Sequence, residues 1–104
     1  MFVVLVIFEP SAADRAANAD AVHGILDRLV AGQPGFRRAR LHTGTGATPD
    51  MVVNYMEWDD EDAFRAFRDR HGAEVTEAVG RFAPRFTFFQ VAHTLGPWPD
   101  PHPA

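Results

Sequence analysis

The chain has 104 residues, of which 46% are apolar and 23% charged, with a net charge of -4. That is enough for one domain with a modest core, and it excludes the broad positive field of a nucleic-acid or anionic-membrane binder. All ten basic residues are Arg and there is no Cys, so disulfides, thiolate metal sites and a thiol nucleophile are excluded.

Phe2 to Phe8 is a continuous run of Val, Leu, Ile and Phe, apolar on both parities, which predicts a central strand covered on both faces and ended by Glu9-Pro10. It is too short for a membrane span and lacks a basic leader and a small-residue cleavage pattern, so a cytoplasmic protein is expected. From about Asp14 to Ala31 the apolar positions Val22, Ile25, Leu26, Leu29 and Val30 recur at helical spacing, weakly extended by Ala16, Ala17 and Ala19. Gly32-Gln33-Pro34-Gly35 stops that helix.

Phe36 to Thr43 reads as a second strand loaded with Arg37, Arg38 and Arg40, which suits a sheet edge. A Gly-, Thr- and Pro-rich loop, Gly44 to Asp50, turns the chain into a third strand from Met51 to Trp58. Asp59-Asp60-Glu61-Asp62 then places carboxylates at a helix start, where free N–H groups and the helix dipole favour them. The helix carries Phe64 and Phe67; Gly72 is expected to interrupt it, and a second helical piece runs from Ala73 to Phe82 before Pro84. Arg85 to Leu95 is a fourth strand, and residues 96–104, with four Pro, form an extended or flexible tail beyond a domain of residues 1–95.

This order, β-α-β-β-α-β, predicts a ferredoxin-like α+β fold with a four-stranded antiparallel sheet and the first and third strands central. Both helices cover one sheet face, so Val53, Tyr55 and one parity of the first strand are left open on the other. A second copy is the expected cover, which makes the protein a homodimer packed sheet to sheet.

The polar anomaly is Asn54 in an apolar strand. Residues of one parity share a face, so Asn54 and Trp58 project together, opposite Tyr55. If their face looks toward the helices, they line a pocket walled by Val52, Met56, Phe64 and Phe67. Asn54 either satisfies a hydrogen bond of the core or waits for a ligand, because a buried amide without a partner costs about 1–3 kcal/mol. His23, at the border of the first helix's apolar stripe, and His93, in the last strand, are candidate proton carriers, with His93 also placed against the substrate. The five His lie on different elements or in the tail without metal-ligand spacing, so no metal is expected. Gly44-Thr45-Gly46 joins two strands and lacks the rest of a phosphate loop, so it is read as a turn. Ser11, Thr43 and Thr87 show no base partner that would make a nucleophile.

From Phe2 to about Leu95 the chain resembles the antibiotic biosynthesis monooxygenases of the dimeric α+β barrel superfamily. The resemblance rests on the element order, the Pro34-Gly35-Phe36 turn, and Asn54-x-x-x-Trp58 ahead of an acid-capped helix containing Phe64 and Phe67. The Asn–Trp spacing is similar to that of anthrone oxygenases of aromatic polyketide pathways. The resemblance implies a dimeric barrel and a cofactor-independent monooxygenase that takes a phenolic or anthrone-type intermediate to a quinone, with O2 as co-substrate and neither metal nor flavin. It also implies that Asn54 holds the enolate oxygen while Trp58 donates its indole N–H; His23 is then the best proton acceptor. A polyketide cyclase or isomerase using the same Asn54 donor, and a non-catalytic dimer that binds a small aromatic ligand, remain alternatives.

Overall fold

The structure, a computed structural model, describes residues 1–8, 15–47 and 51–98. The expected strand stop at Glu9-Pro10, the helix start at Asp14, the end of the loop toward Asp50 and the tail from residue 99 onward lie outside the described residues. The elements are β1 (Phe2–Phe8), α1 (Arg15–Leu29), β2 (Phe36–Thr43), β3 (Val52–Trp58), α2 (Glu61–Val79), a 3-10 turn (Gly80–Phe82) and β4 (Pro84–Gln90). The sheet order is β2-β3-β1-β4 with every neighbour antiparallel, so β1 and β3 are central, as their apolar runs require.

The register assigns each face. Phe2, Val4, Val6 and Phe8 stand beside Trp58, Met56, Asn54 and Val52 on the helix side, and Phe88 and Phe86 continue that face on β4. The core gathers there, with Val4, Val52 and Trp58 fully enclosed and Val22, Phe64, Phe67 and Val79 supplied by the helices.

α2 begins where its acidic residues predict. The Asp60 carboxylate accepts a hydrogen bond from the Ala63 N–H at 2.8 Å, and Glu61 and Asp62 occupy the first turn. Gly72 does not interrupt it. Burial of Phe64, Phe67 and Val79 contributes about 1.5–3 kcal/mol each, which outweighs the roughly 1 kcal/mol that a mid-helix Gly costs, so the two expected pieces are one helix of 19 residues.

The turn before β2 is docked on the β3–α2 junction. Gly35, at φ 82°, accepts a hydrogen bond from the Asp59 N–H at 2.8 Å, and a side chain there would collide with Ala63. The register with β3 shifts at a bulge between Phe36 and Arg38, and Arg37, which lies in the bulge, bonds Asp59.

β4 is shorter than expected. Gln90 pairs with Phe2, the first residue of β1, so the partner strand is used up; Val91 donates one more bond to the Met1 carbonyl and the chain leaves the sheet. Residues 91–98, including His93, therefore form an irregular segment that runs over the face opposite the helices, where Trp98 lies against Arg38. That face is thus less open than Val53 and Tyr55 alone suggest. Among the described residues no helix is long and apolar enough to cross a membrane.

Candidate active site

Asn54 sits in the middle of β3, with Val6 of β1 on one side and Leu41 of β2 on the other. Its side chain is fully buried, and neither its amide N–H2 nor its carbonyl oxygen has a hydrogen-bond partner among the described residues. Two positions further along the same face, past Met56, Trp58 is also fully buried and its indole N–H is likewise unpartnered among the described residues. Buried polar groups are nearly always satisfied. Asn54 and Trp58 are thus two orphans four residues apart on one strand face.

Asn54 opens into a cavity of about 170 Å3 between α1, β2 and β3, lined also by His23, Leu26, Leu41 and Met56. A second cavity, about 250 Å3 and almost wholly apolar, lies between the sheet and α2, bounded by Val6, Phe8, Phe64, Phe67, Phe86 and Phe88. Leu26, Val30 and Met56 line both, so they form the partition between an amide-bearing recess and an apolar chamber.

The expected site residues therefore divide. Asn54, His23 and Met56 meet at the recess, His23 as an exposed residue of α1 at its rim. Met56, Phe64 and Phe67 wall the chamber. Val52 is fully enclosed behind Asn54 and lines neither cavity. Trp58 lines neither cavity: Phe36, Phe64 and Phe67 surround its ring at centroid distances of 5.4, 5.6 and 5.2 Å. His93 is not brought to the site. It lies across the sheet, beside Tyr55 and Glu57 in a separate cleft, because β4 ends before it.

On that opposite face the chain hides a polar cluster the sequence reading passed over. Glu57 is only 1% exposed, and Arg38 grips it from β2 through Nε on one carboxylate oxygen and Nη2 on the other. Tyr55 donates its hydroxyl to the same carboxylate at 3.4 Å. The hydrogen bond to Glu57 pushes the Arg38 pKa up. Burial, then the Glu57 charge, pushes the Tyr55 phenol up as well. The signal was present in the register of Arg38 opposite Glu57, but it depends on the bulge at Arg37, which no sequence pattern announces. Among the described residues no three His, Asp or Glu converge as metal ligands.

A family profile described as antibiotic biosynthesis monooxygenase matches residues 1–81. No curated protein sequence matches the chain. Among solved structures, the chain is similar to a monooxygenase from the gene ActVA-Orf6 of Streptomyces coelicolor in complex with nanaomycin D, with a TM-score of 0.74 and 26% identity over 93% of this chain and 92% of that one. It is similar to SnoaB, a cofactor-independent oxygenase from Streptomyces nogalater, with a TM-score of 0.73 and 25% identity over 90% of this chain and 95% of that one. Rv0793 from Mycobacterium tuberculosis shares the fold at a TM-score of 0.65 and 18% identity, over 91% and 98% of the two chains.

Proposed function

The chain belongs to the antibiotic biosynthesis monooxygenase family, and from that premise we propose that it is a cofactor-independent monooxygenase converting a phenolic or anthrone-type polyketide intermediate to a quinone with O2. The observation that carries this reading is the Asn54 amide, fully buried at a cavity with both polar atoms unpartnered. Its similarity to SnoaB, a cofactor-independent oxygenase, supports the same chemistry.

The reaction runs on the substrate's own electrons. Loss of a proton from the ring methylene gives an enolate, and the Asn54 N–H2 is placed to hydrogen-bond its oxygen. A fixed donor of this kind lowers the barrier by about 2.7–4 kcal/mol where charge develops. The enolate passes one electron to O2, the radical pair recombines to a carbon-bound peroxide, and loss of water leaves the new carbonyl. Overall, a CH2 group and O2 become C=O and H2O. His23, at the rim of the recess, accepts the first proton. Trp58 donates to the peroxide once one of the rings around it moves aside.

The test is oxygen uptake with an anthrone and metal-free protein, together with anaerobic incubation. One O2 consumed per quinone formed supports the proposal, and product formed without O2 replaces it with a cyclase. Asn54→Ala lowers kcat by about 100- to 1000-fold, whereas unchanged turnover in that variant removes Asn54 from the mechanism. Replacing His23 by Gln lowers kcat; a kcat equal to that of the parent protein assigns the proton elsewhere.

A further inference from the structure

We propose that the substrate carries an acidic group remote from the oxidised carbon, and that Arg68 holds it at the mouth of the chamber between α2 and β4. This rests on the proposed function, with the substrate reaching from the Asn54 recess into the apolar chamber that adjoins it across Leu26, Val30 and Met56.

Among the described residues, Arg68 and Thr76 are the only polar side chains in the lining of a chamber otherwise built of aliphatic and aromatic groups. Arg68 also lines an adjoining surface cleft with Phe2, Phe64 and Phe88, so it stands where the chamber meets solvent. Its charge is uncommitted: Arg38 is bonded to Glu57 and Arg65 to Glu61, but Arg68 has no ion pair among the described residues. The helix explains why. The positions three and four residues away are Phe64, Arg65, His71 and Gly72, none of them a carboxylate.

Gly72 supplies the second, independent sign. It lies one turn beyond Arg68, it lines the chamber, and the only atom a Cβ there would approach is Cγ of Arg68, at 3.3 Å. A helix interior disfavours Gly, and here the missing side chain leaves the Arg68 stem free to fold along the mouth. A guanidinium over an apolar opening recognises a carboxylate by a paired, charge-assisted hydrogen bond, while the flat body of the ligand fills the space beneath, between Phe64, Phe67 and Phe88. The Met56 partition then separates the acidic end from the end that meets Asn54. Met is unbranched and adapts its shape, as a partition crossed by a ligand requires.

The experiment uses quinones that are already oxidised and lack the ring CH2 the oxygenase consumes, so it requires neither O2 nor turnover, and its outcome is independent of whether the oxygenase reading survives. Anthraquinone-2-carboxylate and the neutral anthraquinone-2-carboxamide are titrated into the full chain by calorimetry, in the parent protein and in Arg68→Gln and Arg68→Lys. The parent binds the carboxylate about tenfold more tightly than the amide. Arg68→Gln removes that preference and leaves the amide's affinity unchanged, Arg68→Lys keeps part of it, and added salt reduces it in the parent. Equal affinities in the parent, equal weakening of both ligands in Arg68→Gln, or no binding of either at millimolar concentration each overturns the proposal. Gln suits an exposed helix position, and an unchanged thermal midpoint confirms that the variant is folded.

Discussion

Asn54 and Glu57 are both buried polar residues of β3, and the physics of their burial is opposite. Glu57 is answered within the chain by Arg38 and Tyr55, whereas Asn54 has no partner among the described residues. Stability follows from that difference. An unsatisfied buried amide costs about 1–3 kcal/mol, so Asn54→Leu is expected to raise the thermal midpoint, or leave it unchanged, while turnover collapses. A fall in midpoint would mean that Asn54 holds the core together. Of the candidates expected from the sequence, Asn54, Met56, His23, Phe64 and Phe67 line the two cavities; Trp58 shares the Asn54 face but is shut behind aromatic rings, and Glu57 needed the bulge. Tyr55 is the chain's one tyrosine, so phenolate absorbance reports it alone. Burial and the Glu57 carboxylate raise its pKa in the folded state, so the native protein keeps that proton after the unfolded chain has released it. Below the ordinary tyrosine range, near 10, the group leaves stability independent of pH. Above it, stability falls as pH rises toward the folded pKa. Denaturant titrations across that window should show the decline, and Tyr55→Phe should flatten it.

At the scale of elements, the hydrophobic periods located every strand and both helices, and they erred where packing overrides a local signal. Gly72 reads as a break, yet Phe64, Phe67 and Val79 hold the helix through it. Gly72→Ala therefore stabilises α2, by up to roughly 1 kcal/mol, provided the Arg68 stem yields the few tenths of an ångström it must. The same variant narrows the chamber mouth, so KM should rise for a bulky substrate while kcat holds; thermal denaturation and steady-state kinetics separate the two effects. Gly35 is the reverse case. It is at positive φ with Ala63 packed against it, so Gly35→Ala should destabilise by at least about 1 kcal/mol, read as a lower denaturant midpoint with an unchanged slope. β4 was overestimated because Val91 to Leu95 keeps a strand-like composition, whereas the limit is set by the length of β1, a tertiary fact.

For the whole molecule, the face opposite the helices carries several of the apolar groups the chain leaves uncovered, while Phe86 and Phe88 are exposed at the β4 edge of the helix side. Phe89 is 51% exposed, Trp98 58% and Leu95 94%. A chain of 11.5 kDa has little surplus burial with which to tolerate this. Sheet-to-sheet pairing is the expected remedy. Sedimentation at micromolar concentration should give twice the chain mass, and Phe89→Asp should shift the equilibrium toward monomer. That an outer face exists was legible from parity; that residues 91–98 lie across part of it was not, because Pro, Gly and Thr in that stretch set no direction. The strict alternation of β3 has one more consequence, for anyone wishing to alter the protein. Its seven residues are two separate inheritances on one ribbon: Val52, Asn54, Met56 and Trp58 face the helices, while Val53, Tyr55 and Glu57 face away. A library varied at Met56, which lines both cavities, can be screened for altered ligand binding without touching the outer face. Deleting an internal residue of β3 turns every residue on one side of the deletion to the other face, which makes β3 open to revision by substitution and closed to revision by length.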